Sequence, residues 1–219
     1  MLLLGRIEAA LVVFSILFLP GVLLHEISHL LMAWILRVKT LRISFIPQPM
    51  PDGRLRMGYV ETSSTDIFRD SFIGVAPLLS GGAFIAYTSY VRFDLSISWY
   101  QLIWKNPGDW LGSIQRVVSH PDFWLWFYLL FIVSSTMFPS ESDRRAWLPM
   151  LFILAAIALL LLLAGAGEWL RLQLAEPMLN VLDMQTSLLG VSLLVHAIVL
   201  LPVYLLRRVI ARMRGADVK

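Results

Sequence analysis

Residues 9–36 read AALVVFSILFLPGVLLHEISHLLMAWIL, and Glu26 is the one formally charged side chain in the run. An α-helix needs about 20 mostly apolar residues to cross a bilayer core, so this stretch is long enough to do so. Two features interrupt it: Pro20-Gly21, and His25-Glu26-Ile27-Ser28-His29. On a helix, positions four apart lie about 40° apart in projection, so the two imidazoles face one way. That pair can grip a metal ion, and the carboxylate between them suits a general base acting on a metal-held water. With four histidines and six glutamates in 219 residues, the pattern arises by chance in roughly 0.002 of such chains. Imidazole and carboxylate groups are costly inside a membrane span, which favours a functional reading.

Composition agrees with a membrane setting. The chain is 58% hydrophobic and 15% charged, whereas soluble domains carry about 25% charged residues. Cysteine is absent, which excludes disulfides and thiolate ligands. The net charge of +3 is modest, and the basic residues gather near span ends, as lipid headgroups favour and nucleic acid does not require. A cleavable leader is not expected, because the first apolar run carries the histidine motif.

Apolar runs predict an all-α, multi-pass membrane protein with about five spans: residues 9–36, 72–91, 123–139, 147–164 and 187–206. No linker or repeat divides the chain, so residues 1–219 read as one integral membrane domain. Thirteen of the eighteen basic residues fall on one side of that arrangement: six between the first two spans, two between the third and fourth, five in the tail. The positive-inside rule makes that side cytoplasmic, with the N-terminus outside. Glu26 precedes Arg37 by eleven residues, or roughly 16 Å of helix, so the motif lies below the cytoplasmic surface.

The loop after the first span is patterned as strands. Leu41 to Ile46 and Leu55 to Val60 alternate around Pro47, Pro49, Pro51 and the turn pair Asp52-Gly53. This predicts a small cytoplasmic β-hairpin over about 41–60, whose free edge can take an extended peptide by strand addition.

A catalytic metal needs a third protein ligand. Asp109 and His120 fall in the loop placed outside. His196 lies within the fifth span, where a hydrogen bond between helices is the simpler role. Glu141 and Asp143 follow the short third span on the cytoplasmic side, and Asp143 is the favoured partner, with Glu141, His196 and Asp109 remaining as alternatives.

The chain resembles the site-2 protease family of intramembrane metalloproteases. The carrying motifs are His25-Glu26-Ile27-Ser28-His29, Ala76-Pro77-Leu78-Leu79-Ser80-Gly81-Gly82, the Gly58-Tyr59-Val60 strand, and Thr136-Met137-Phe138-Pro139-Ser140-Glu141-Ser142-Asp143. Departures sit in the last motif: Thr136 stands where the family has asparagine, Asp143 is one residue closer to the proline, and Arg144 replaces a glycine. The resemblance implies a three-helix core over 1–150, with two further helices over 151–219. It implies Zn2+ held by His25, His29 and Asp143, with Glu26 as general base. The expected activity is zinc-dependent endopeptidase cleavage of a membrane protein within or beside a transmembrane segment. The alternative is a membrane scaffold or metal-binding protein that keeps the fold without cutting.

Overall fold

The computed structural model describes residues 7–49, 55–93, 115 and 117–213. They form α1 (Ile7–Ile35), a hairpin of β1 (Thr40–Ser44), β2 (Gln48–Pro49), β3 (Leu55–Arg56) and β4 (Tyr59–Thr62), and then α2 (Ile67–Tyr87), which continues through a π turn at Thr88–Arg92. After these come α3 (Phe123–Thr136), the single turn α4 (Glu141–Arg144), α5 (Trp147–Leu163), α6 (Gly167–Leu170), a π turn at Arg171–Ala175, and α7 (Glu176–Met213).

Among the described residues, four helical stretches are long and apolar enough to cross a membrane: Leu11–Ile35, Ile67–Arg92, Glu141–Leu163 and Gly167–Ile210. The third predicted span differs. It stops at Thr136, two residues before Phe138-Pro139, giving 14 residues, or about 21 Å. Proline removes an N–H and restricts the residue before it, so the helix closes early. The fifth span differs in the other direction. Its helix starts well before residue 187, because Asn180, Asp183 and Gln185 break the apolar run without breaking the helix.

Each boundary has a local cause. At the end of α1, Arg37 takes φ 56°, and the Val38 N–H returns to the Ala33 carbonyl at 2.8 Å. This is a Schellman-type stop with arginine in the usual glycine place. Val38 then buries against Ala33 and Ile73, fixing where the chain leaves α1. Asp66 caps α2 by accepting the Arg69 N–H at 3.0 Å. That bond holds the Asp66 carboxyl below its ordinary range.

In the hairpin, β1 pairs antiparallel with β4, Ser44 opposite Tyr59 and Thr40 opposite Thr62, with an irregularity between Thr40 and Arg42. Inside it, Gln48-Pro49 pairs with Leu55-Arg56. The turn pair Asp52-Gly53 lies outside the described residues.

Helices α1, α2 and α3 pack on one another, and α7 lies against α2 and α3. Small residues set the close approaches. A Cβ at Gly21 would overlap Thr136 and Ile132, and one at Gly81 would overlap Met137. The central core is Ile85, Leu130, Met137, Leu188 and Val195. Helix α5 has no buried residue; Phe152 and all its leucines except the half-buried Leu161 are exposed.

Candidate metal centre

His25, Glu26 and His29 lie in the second half of α1. Glu26 and His29 are buried, at 7% and 6% exposure. The two rings are held by carbonyls that helix geometry leaves free. His29 Nδ1–H donates to the Ile73 carbonyl at 2.8 Å. In a regular helix that carbonyl would accept from residue 77, but Pro77 has no N–H to give. His25 Nδ1–H donates to the Thr136 carbonyl at 2.6 Å. Thr136 is the last residue of α3, where carbonyls lack a helical partner. The N–H four residues on, at Ser140, is directed instead to Asp143.

Carbonyls only accept, so both rings carry a proton on Nδ1, and a ring in its neutral form presents a bare lone pair at Nε2. The two Nε2 atoms face each other at 3.2 Å. Asp143 faces them too, with Oδ1 at 3.4 Å from His29 Nε2 and Oδ2 at 3.8 Å from His25 Nε2. With both rings neutral, these atoms converge without a positive charge and repel one another. Ligands about 2.0–2.1 Å from a tetrahedral cation stand about 3.3 Å apart, close to the 3.2 Å between the two Nε2 atoms and the 3.4 Å from His29 Nε2 to Asp143 Oδ1, and one ligand atom from each of the three residues lies within 4.8 Å of the others. Nδ1–H donated to a carbonyl is also how metal-bound histidines are commonly oriented. The three residues could therefore hold a metal ion.

Asp143 reaches this place through its own turn. Ser140 caps α4, and Asp143 Oδ2 accepts the Ser140 N–H at 2.7 Å and the Ser140 hydroxyl at 2.6 Å. This capping box fixes the carboxylate before any metal binds. Gly74 on α2 lets the turn come close, because a Cβ there would collide with the Asp143 carbonyl. On the other side of the motif, the hairpin leans on Glu26. A Cβ at Gly58 would stand 3.0 Å from Glu26 Cγ and 3.0 Å from Val22.

Among the described residues, open space adjoins the centre beside His29 and Asp143. A cavity of about 190 Å³ is bounded by His29 and Asp143, by Arg56, Val60, Glu61 and Thr62 of the hairpin, by Asp70, Ile73 and Gly74 of α2, and by Ser142 and Arg145. Around His25, the crevice between Leu24, Pro77, Val133 and Met137 is too narrow for water.

The other sequence candidates fall elsewhere. Glu141 is exposed and outside the cluster. His196 bridges helices: its Nδ1–H donates to Ser192 O at 2.7 Å and its Nε2 meets Ser135 Oγ at 2.8 Å. His120 lies before α3, also outside the cluster. Asp109 is outside the described residues. Gly74 is not singled out by the sequence, and Gly58 and Pro77 stand out there only as parts of family-like motifs, not for the close approach and the freed carbonyl they provide. Glycine and proline inside helical or strand patterns were the available signal, since both are costly there without a packing reason.

No known protein family, curated protein or solved structure matches this chain.

Proposed function

We propose that the chain is a zinc-dependent intramembrane endopeptidase of the site-2 protease type. The observation that carries the reading is the pair of carbonyl-locked imidazoles, with Nε2 atoms 3.2 Å apart, closed by the capped carboxylate of Asp143. A buried carboxylate next in sequence, Glu26, supplies what metal binding alone does not require.

Membrane residence is supported by the surface. Helix α5 is apolar on every face and buries none of its residues, a pattern that suits lipid. The basic asymmetry places the N-terminus outside and the C-terminus in the cytoplasm. The short α3 then ends beneath the cytoplasmic surface and leaves Asp143 at the depth of the motif.

Held by His25, His29 and Asp143, zinc would supply Lewis acidity, acidifying a water molecule and polarising a peptide carbonyl. The Glu26 carboxylate takes the proton of the attacking water and passes it to the departing amide nitrogen. Burial of Glu26 keeps bulk water from competing for that proton. Helical substrates hide their peptide carbonyls in hydrogen bonds, so the segment must unwind before it is cut. The β4 edge, beside the cavity that His29 floors, offers the unwound strand backbone partners.

The test is co-expression with candidate single-span proteins, comparing the native chain with Glu26→Gln. Cleavage by the native chain alone supports the reading. Full biological activity in Glu26→Gln would favour a scaffold instead.

A further inference from the structure

The turn that carries Asp143 has little of its own to hold it in place. Helix α4 is four residues long and buries none of them. Its footing is α2. Gly74 admits the Asp143 carbonyl, Ser71 Oγ donates to the Ala146 carbonyl at 3.3 Å, and Arg145 Nη2 donates to Asp70 Oδ2 at 3.0 Å. Positions 70, 71 and 74 share one face of a helix, so all three contacts fall on the same side of α2.

The sequence also sets a hazard beside this ligand, because Arg144 and Arg145 follow Asp143 directly. A guanidinium matches a carboxylate with two parallel hydrogen bonds, and its charge repels a cation. A carboxylate captured that way is a poorer metal ligand. The fold turns both arginines elsewhere. Arg144 Nε donates to the Ser140 carbonyl inside α4 at 3.3 Å. Arg145 goes to Asp70, whose side chain is 18% exposed against 65% for the arginine, so the acid is the anchored member of the pair. Asp70, Arg145 and Asp143 border the same cavity beside His29. An Arg145 released from Asp70 therefore has open space between itself and the Asp143 carboxylate. Across the cavity, Arg56 is paired with Glu61 at 3.5 Å. With both guanidiniums matched to other acids, the Asp143 carboxylate stays turned to His25 and His29.

We propose that Asp70 is a positioning residue for the metal centre: by holding Arg145 it fastens α4 to α2 and keeps the guanidinium off the Asp143 carboxylate. The inference rests on the metal-site reading, and testing it needs no substrate. Its two parts differ in what a second substitution does. A mere clasp, once broken by Asp70→Asn, stays broken when Arg145 is also removed. A restraint on Arg145 becomes unnecessary once Arg145 is gone.

The experiment measures zinc affinity of the full chain in detergent by chelator competition. Asp70→Asn should weaken zinc by at least about tenfold, the lower end of what losing a ligand's support does. Arg145→Gln, which loses the clasp but frees no guanidinium, should weaken it by about threefold, as a half-exposed ion pair allows. The double variant Asp70→Asn with Arg145→Gln should recover to about the level of Arg145→Gln alone. Asp70→Glu keeps a partner for Arg145 and should stay within about threefold of the native chain. Glu141→Gln removes an exposed acid of the same turn and should stay within about twofold, which separates the proposal from a general effect of negative charge. Native affinity in Asp70→Asn, or a double variant as weak as Asp70→Asn, overturns the proposal. So does a loss in Glu141→Gln equal to that in Asp70→Asn. An Asp70→Asn chain that had simply misfolded would not be rescued by a second substitution, so recovery in the double variant excludes that cause. A native chain that binds no zinc overturns the metal reading and the proposal together; native zinc binding with all variants unchanged overturns the proposal alone.

Discussion

Two glycines on one helix should behave in opposite ways. Gly74 and Gly82 both lie inside α2, where replacing glycine by alanine favours the helix by about 0.8–1.0 kcal/mol. At Gly82 the new Cβ would meet Leu188 Cδ1 at 3.4 Å, an ordinary contact with the end of a movable side chain. At Gly74 it would run into the backbone carbonyl of Asp143, which cannot rotate away. The α4 turn must retreat by roughly 1 Å, against a tolerance of about 0.2 Å for a metal ligand. Overpacking costs about 1–3 kcal/mol, offset by about 1 kcal/mol of helix gain, so Gly74→Ala should lose at most about 2 kcal/mol and still fold. Its zinc affinity should fall about 10–100-fold, the usual penalty for disturbing what supports a ligand. Gly82→Ala should bind zinc as the native chain does and melt no lower. Chelator competition gives the affinities, and thermal unfolding in detergent gives the stabilities. Native zinc affinity in Gly74→Ala would refute the claim that this approach positions Asp143.

Pro77→Ala should separate stability from metal binding. It restores an N–H to the Ile73 carbonyl, gaining up to about 3 kcal/mol of helix stability, while competing with His29 and weakening zinc about tenfold or more; a stabilised variant with unchanged affinity would contradict this. Glu26→Gln should keep its zinc and lose cleavage by about 10²–10⁴-fold, measured on any reporter the native chain cuts. Single cysteines placed in this cysteine-free chain should label from the cytoplasmic side at the hairpin and tail; labelling of the tail from outside would reverse the orientation and bring Asp109 back into consideration.

How much was legible in the sequence divides along a physical line. The two histidines could be read because helical spacing alone decides that they share a face. The hairpin could be read because alternation over 41–46 and 55–60 has period two; its small inner pair, two residues a side, lies below what alternation can signal. Helix ends were less legible. The apolar window marked residues 187–206, but hydrogen bonding carries α7 from Glu176 to Met213. The third ligand was only half legible. Asp143 could be placed after a short apolar run, yet its approach depends on the absence of a Cβ at Gly74, a long-range fact with no local pattern. The same holds for the carbonyls that orient the rings. Pro77 and the end of α3 free them, but which histidine each meets is decided by packing between helices.

The central claim is that His25, His29 and Asp143 form one metal site, and metal content tests it most directly. Native protein purified without chelators should hold about one zinc per chain. His25→Ala, His29→Ala and Asp143→Ala should each lose most of it, while Glu26→Gln keeps it. Native protein without zinc, or zinc that survives all three ligand substitutions, would contradict the account.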